Sequence, residues 1–368
     1  CRDLVGESPA NGRGQADTDP PPTGGSHAAV LDGWRAPSRH QIEVLALPAR
    51  HWKWRMRHAA WTLSQQAAAL EHTDFDLVWA TDMLELAAWR GLAPAALAAL
   101  PHVLYQHETQ LLYPDPTGTE RDAHFAFSNV LSAAAADAVW WNSAWHRDTA
   151  LAAWHTWLSR FPDHQPTDTL NQIAARSQVL YPGIEPPVPG QRPSDQAPHL
   201  LWCARWEADK DPEAFATAVH QLADQGHRFR FSMIGGHDTG RFPALAALRA
   251  AHGDRIVHWG WLESRAAYHA ALAEADIVVS TAQHEFFGLA VLEAVAAGAR
   301  PLLPRRLAYP EIYAALGEEV FYRDGTLAAA LAARLADPQA IDAAAVSAPY
   351  LWPKQASRWD DAAQAMRL

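Results

Sequence analysis

Glu285 and Glu293 stand eight positions apart on either side of the turn Phe286-Phe287-Gly288. Paired carboxylates suit the hydroxyls of a sugar or a ribose, because each accepts two hydrogen bonds. Ile277-Val278-Val279-Ser280 is a short β-branched run suited to a buried parallel strand, and Leu289 to Ala297 is an apolar helix that closes at Gly298. Glu285 therefore falls in a strand-to-helix loop. In an open α/β sheet such loops lie at the carboxyl ends of the strands, where ligands bind, and the N–H groups of the following helix favour a phosphate. Glu293, further along that helix, can point back to the same place. A solvated loop residue and an exposed helix residue are the plainer alternatives. The Phe-Phe-Gly elbow, the small-residue helix and Gly298-Ala299-Arg300-Pro301 following in order favour a sugar-nucleotide site, with Phe287, Gly288 and Leu289 at the donor.

A second constellation precedes it. The run Leu200 to Ala204 ends in Arg205, and Lys210 follows five residues later near the start of a helix through Phe215. A departing diphosphate gains negative charge, which Arg205, Lys210 and helix N–H donors can stabilise without a metal. The same cations also fit ordinary surface pairs with Glu207 and Asp209. Gly235-Gly236, after the strand Phe229 to Ile234, lets backbone approach a nucleotide, and a tight turn accounts for it nearly as well. Trp261 and Leu262 follow another strand end, where they could pack on a base or belong to the core.

This pattern resembles retaining glycosyltransferases of family 4, which have the GT-B fold and carry two glutamates separated by seven residues. His51-Trp52-Lys53-Trp54-Arg55-Met56-Arg57, Gln106-His107-Glu108-Thr109-Gln110-Leu111, Arg121-Asp122-Ala123-His124-Phe125 and Asn142-Ser143-Ala144-Trp145-His146-Arg147-Asp148 resemble the queuosine-tRNA mannosyltransferase group. So do Arg205-Trp206-Glu207-Ala208-Asp209-Lys210 and His258-Trp259-Gly260-Trp261-Leu262-Glu263-Ser264. The likeness runs from about Gly24 to about Tyr322. It implies retaining transfer of a hexose, mannose from GDP-mannose, onto queuosine in a tRNA anticodon, with Glu285, His107, Arg205 and Lys210 as the catalytic set. Gly25 and Ser26, in the turn Gly24-Gly25-Ser26-His27, are implied donor contacts. His107 is implied to lie near the transferred sugar, where a His can donate to a hydroxyl or move the acceptor proton; a capped structural His is the ordinary alternative. Thr109 stands where the family usually has Asn, which leaves the partner of that loop open. Ser143 reads as a helix N-cap, with His146 and Arg147 facing the acceptor. Two other functions fit the same chain: a family 4 transferase with a lipid or glycan acceptor, and a non-catalytic RNA-binding protein on this scaffold.

The run Arg50 to His58 interleaves cations with indoles, which suits RNA: Lys53, Arg55 and Arg57 for phosphates and Trp52 for a base. It also fits the first turns of an amphipathic helix with buried Trp residues. Some glycosyltransferases hold a divalent ion with a DxD motif, and Asp74-Phe75-Asp76 and Asp17-Thr18-Asp19 fit the string. The first precedes a strand and the second lies in a polar leader. No metal and no cofactor beyond the nucleotide sugar is expected.

Positioning such residues takes two domains, and 368 residues suffice for them. Apolar runs at 42–47, 77–80, 102–105, 138–141 and 178–181 alternate with helical stretches, as do those at 200–203, 229–234, 256–259, 277–280, 301–303 and 319–322. The expected architecture is α/β with the GT-B fold, two Rossmann-like domains facing across a cleft. Residues 24–185 form the acceptor domain, the Pro-rich 186–198 the linker, 199–350 the nucleotide-sugar domain, and 351–368 a helix crossing back to the first. Residues 1–23 are polar and rich in Pro and Gly and read as a disordered leader, so the first, central strand is expected to be missing, as from a truncated or frame-shifted start. Net charge of -11 argues against indiscriminate nucleic-acid binding but allows a local basic groove. The absence of a basic-then-apolar leader or of ~20 consecutive apolar residues points to the cytoplasm without a membrane span. Cys203, in a predicted core strand, is expected to be a buried thiol.

Overall fold

The computed structural model describes residues 2–7, 26–48, 51–113, 123–186, 196–237, 240–337 and 341–367. The chain divides into two compact units, Cys1–Gly183 with Trp352–Leu368, and Ile184–Leu351. Each is built on its own six-stranded sheet, and every strand pair in both is parallel.

In unit 1 the strands are β1 (Arg2–Glu7), β2 (Gln41–Ala46), β3 (Leu77–Thr81), β4 (His102–Gln106), β5 (Ala138–Trp141) and β6 (Ser177–Val179), in the order β2-β1-β3-β4-β5-β6. β3, β4 and β5 are buried along their whole length, which is why they read as continuous apolar runs. The expectation of a missing first strand is corrected here. Arg2–Glu7 pairs with β2 from Arg2↔Gln41 to Glu7↔Ala46 and with β3 from Asp3↔Leu77 to Gly6↔Ala80. A central parallel strand is held by two ladders of main-chain hydrogen bonds, which any residue but proline can make; a hexapeptide whose only apolar side chains are Leu4 and Val5 therefore fills the place without a long apolar run. The rest of the leader, 8–23, lies outside the described residues.

The helix Trp352–Ala365 completes unit 1. Trp359 packs among Trp34, Trp79, Trp140 and Tyr105 with ring centroids 4.7–6.1 Å apart. Asp360 accepts from Trp34 Nε1 at 2.8 Å and from the Arg39 backbone at 2.9 Å. Gly33 and Gly183 leave room for Trp352, whose ring would lie 1.9 Å and 2.3 Å from a Cβ at those positions.

Unit 2 contains β7 (His199–Cys203), β8 (Arg230–Ile234), β9 (Ile256–Gly260), β10 (Ile277–Val279), β11 (Arg300–Pro304) and β12 (Phe321–Tyr322). Their order, β12-β11-β10-β7-β8-β9, reverses direction between β7 and β10. Ligands of doubly wound sheets bind at the carboxyl ends of the strands at such a switch. Phe215, Phe231, Met233, Val219, Leu302 and Leu331 form its core.

Candidate functional site

At the switch point of unit 2, β7 leads to Arg205 and Lys210, and β10 leads to Glu285. Thr281 ties the two strand ends together: its Oγ1 accepts from Trp202 Nε1 at 2.8 Å and donates to the Lys210 carbonyl at 2.7 Å. Lys210 is buried, and its Nζ donates to the His284 carbonyl at 2.6 Å and to Glu285 Oε2 at 3.2 Å, with Asp209 Oδ2 also at 3.2 Å. Two residues 75 positions apart thus form one ion pair beside the start of the helix Leu289–Ala296. Gly288 caps that helix at φ 95°, and a Cβ there would lie 3.0 Å from Tyr309 Cε1. Cys203, Lys210, Glu285, Gly288 and Tyr309 line a small recess. Its wall is fixed by Tyr309 and Tyr322, whose hydroxyls meet Ser280 Oγ at 2.7 Å and Ser280 O at 2.8 Å.

Glu293 receives the Tyr268 hydroxyl at 2.7 Å; burial raises its carboxyl above the usual range, and the Tyr268 hydrogen bond opposes that rise. Burial, and then the Lys210 charge, lower His284 to about 4, so its ring is neutral beside the ammonium. Cys203 is the buried thiol anticipated, pushed upward by burial and then by the two glutamates.

Other expected donor residues sit less centrally. Arg205 is half exposed and pairs with Glu207 at 3.2 Å. The Phe287 ring is buried edge-on to Tyr350, so only its backbone can face a ligand. Leu289 is the half-buried first residue of the helix. Gly235 has φ 103°, and a Cβ would meet the Ala204 carbonyl at 2.5 Å; close packing alone requires glycine there. Leu262 is half-buried next to Trp261, which is exposed and stacks on His237 at 5.5 Å.

In unit 1 the polar groups follow β3, β4 and β5 at their carboxyl ends. Asp82 Oδ1 accepts the His107 backbone N–H at 2.9 Å, and Asn142 Nδ2 donates to the His107 carbonyl at 2.8 Å. Asn142 Oδ1 is then left to accept from His146 Nδ1 at 2.8 Å, and His146 Nε2 meets Thr109 Oγ1 at 2.8 Å. The loop partner left open by Thr109 is therefore His146. The His107 ring stacks on His27 at 3.8 Å, and burial, then the neighbouring His27 and His146, hold it well below its usual value. It is a neutral imidazole whose Nε2 has no partner among the described residues. Asp82, which the sequence reading missed, is raised well above the carboxylate range by burial and then by Glu108. Its only signal was an aspartate directly after a strand.

Several acceptor expectations are corrected. His146 is fully buried with both ring nitrogens engaged, because Ser143 caps its helix and turns the first-turn ring inward under the strand ends; it cannot face an acceptor. Arg147 pairs with Asp148 at 2.7 Å. Arg55 is only 1% exposed and donates to the Pro48 carbonyl, so it is a core cation rather than a phosphate ligand. Trp52 packs on Phe125 with Met56 and Met83, whereas Lys53 is exposed and Arg57 lies 4.7 Å over the Phe125 ring. Gly25 lies outside the described residues, and Ser26 begins the helix Ser26–Arg35. Among the described residues no three His, Cys, Asp or Glu side chains cluster as metal ligands would, and no helix is long and apolar enough to cross a membrane.

Comparison with known proteins bears on both units. Residues 21–184 match the tRNA-queuosine alpha-mannosyltransferase N-terminal family and residues 197–337 the glycosyl transferases group 1 family. A tRNA-queuosine alpha-mannosyltransferase of Drosophila melanogaster is 34% identical over 302 residues, 79% of each chain. A GDP-mannose-dependent alpha-(1-6)-phosphatidylinositol dimannoside mannosyltransferase of Mycobacterium tuberculosis is 33% identical over 117 residues, 32% of this chain and 29% of that one. Sucrose-phosphate synthase from Thermosynechococcus elongatus superposes with a TM-score of 0.66 at 15% identity, covering 100% of this chain and 96% of that one. The fold is GT-B, as the sequence implied.

Proposed function

Because the chain belongs to the tRNA-queuosine α-mannosyltransferase family, we propose that it moves mannose from GDP-mannose onto queuosine in a tRNA anticodon, with retention at the anomeric carbon. The observation that carries the donor half of this reading is the Lys210–Glu285 ion pair at the Gly288 helix start. A buried ammonium and a ring of helix N–H groups suit a diphosphate whose charge grows as its bond to the sugar breaks. Arg205 adds a second cation once it leaves Glu207, and Glu285 and Glu293 accept from sugar and ribose hydroxyls. The bond from the anomeric carbon to the diphosphate oxygen breaks while the acceptor oxygen bonds to that carbon on the same face. The acceptor proton passes to the leaving phosphate oxygen, so no protein nucleophile is needed. In unit 1, the neutral His107 offers Nε2 to a sugar or acceptor hydroxyl, and Lys53 and Arg57 hold phosphates of the RNA.

GDP as the nucleotide is supported by the name of the mycobacterial relative, and the cytoplasm by an acceptor that is a tRNA. Lys210 and the helix dipole do the work a divalent ion would otherwise do, so no metal is required. A lipid or glycan acceptor is the weaker reading, since residues 21–184 match a tRNA-modifying family. The test is a panel of nucleotide sugars offered with queuosine-modified tRNA, with and without EDTA. Incorporation from GDP-mannose alone, unchanged by EDTA, is the expected result. Transfer from a UDP-sugar, activity restored by Mn²⁺, or labelling of lipid in place of tRNA would each overturn it.

A further inference from the structure

The helix Trp52–Ala68 is anchored by Met56, Ala59, Ala60, Leu63 and Ala67, all buried. Those residues suffice to hold it to unit 1. Yet two indoles point the other way: Trp54 is 65% exposed and Trp61 is 64% exposed. They stand seven residues apart, on one stripe of the helix at i and i+7, with His58 between them at i+4. The His58 ring lies 5.4 Å from Trp54 and is steadied by Thr62 Oγ1 at 2.8 Å from its Nδ1. Lys53 and Arg57 lie along one side of the stripe, Arg57 4.7 Å over the Phe125 ring. The seventeen residues of the helix include no Asp or Glu, although the chain as a whole carries a net charge of -11. The helix follows the carboxyl end of β2, the sheet edge at which ligands of such folds bind.

We propose that this outward stripe is a stacking ladder for unpaired RNA bases, with Trp54 and Trp61 as its platforms, His58 as the rung between, and Lys53 and Arg57 on the phosphates. The proposal rests on the reading that the acceptor is an RNA, and extends it to a surface that the basic run alone did not locate. Along the helix axis the indoles are roughly 10 Å apart, close to three base steps of about 3.4 Å. Bases stack on aromatic rings whatever their identity, and adjacent cations fix the backbone. A second copy of the chain is a poorer occupant. Two indoles at this exposure present roughly 300 Å², well short of the ~800 Å² each partner gives to a standard interface. The positive side of the stripe would also repel its own symmetry mate.

The double variant Trp54→Ala/Trp61→Ala tests this against an RNA that presents an unpaired loop and against a fully paired duplex. Loop affinity should fall by about tenfold or more, while the slope of log affinity against log salt stays as in the parent, since indoles release no counterions. Duplex affinity, thermal midpoint and donor hydrolysis should not change. Lys53→Gln/Arg57→Gln should give the complementary result, a slope reduced by about 0.7 per lost contact. Trp54→Phe/Trp61→Phe should recover much of the loop affinity. Parental loop affinity in the alanine variant overturns the ladder while leaving the RNA acceptor standing. A parent that dimerises, with the variant monomeric and RNA binding unaltered, makes the stripe a self-association face and also overturns it. A parent that binds no RNA sinks the acceptor reading and the ladder together.

Discussion

At the carboxyl edge of the unit 2 sheet, an ammonium and a carboxylate meet at 3.2 Å with helix N–H groups beside them. At the same edge of unit 1, the strand ends carry a neutral imidazole, a carboxyl raised by burial and a chain of neutral hydrogen bonds through Asn142, His146 and Thr109. Both edges arise from the same architecture, parallel strands each followed by a polar turn. Under the proposed function the difference matches what each edge would recognise. A diphosphate is charged throughout the reaction and is best met by fixed charge and oriented dipoles. A hydroxyl is neutral, and a neutral imidazole can meet it with a hydrogen bond as donor or acceptor.

The sharpest way to break that comparison is a pair of substitutions with separate readouts. Lys210→Ala should lower both donor hydrolysis and transfer to tRNA by about 100- to 1000-fold, the scale of losing one preorganised donor to a developing anion. His107→Gln should lower transfer by about 100-fold and leave donor hydrolysis within a few-fold of the parent. Equal loss of both activities in both variants would mean that the two edges do not divide the chemistry this way.

Acidification asks whether the contrast extends to stability. Burial lowers His102, His199 and His284 to about 4 and His107 well below 6.5. Between about pH 6.5 and 4 the unfolded chain takes up protons at these positions that the native chain refuses, so their contribution is complete at neutral pH and is lost as pH falls. Each histidine is worth up to ~1.4 kcal/mol per pH unit in that window. Asp82 and Glu293 act in the opposite sense, since their raised native values favour the folded state at low pH. Unit 1 holds two lowered histidines and one raised carboxyl, and unit 2 holds the same with His252 and His269 lowered in addition, so both should lose resistance to urea between pH 7 and pH 5. Amide exchange that showed unit 1 alone loosening would run against the placement of these groups.

The mildest test concerns Glu293. Removing the hydroxyl that opposes its rise, by Tyr268→Phe, should push the Glu293 carboxyl higher still and cost about 1 kcal/mol. The measurement is the pH dependence of donor binding, which should move to higher pH. No displacement would mean that Tyr268 only fills space.

The strands were legible to within about two residues wherever both faces are covered, because burial forces a continuous apolar run. β1 was not, since main-chain pairing leaves no trace in side-chain type. Lys210 and Glu285 could be named singly from their places after strands, but their pairing 75 residues apart is a product of the switch between β7 and β10. Asp82 lacked any neighbour at a telling spacing. The run Trp52 to Arg57 showed its composition and hid its phase: with cations and indoles at nearly every position there is no period to read. One residue along a helix turns the side chain by about 100°, enough to send Arg55 inward and Trp54 outward.

The helix Trp352–Ala365 has a consequence for how the chain is made. Unit 1 needs that helix for Trp359 to reach Trp34 and for Trp352 to seat against Gly33 and Gly183. On the ribosome its earlier residues emerge well before their last partner. All of unit 2 is translated in between, a wait of roughly ten to thirty seconds at about 5–20 residues per second. The second unit in the sequence is therefore the first that can finish folding. Until then unit 1 exposes an indole-lined seam, which makes the nascent chain a natural client for chaperones.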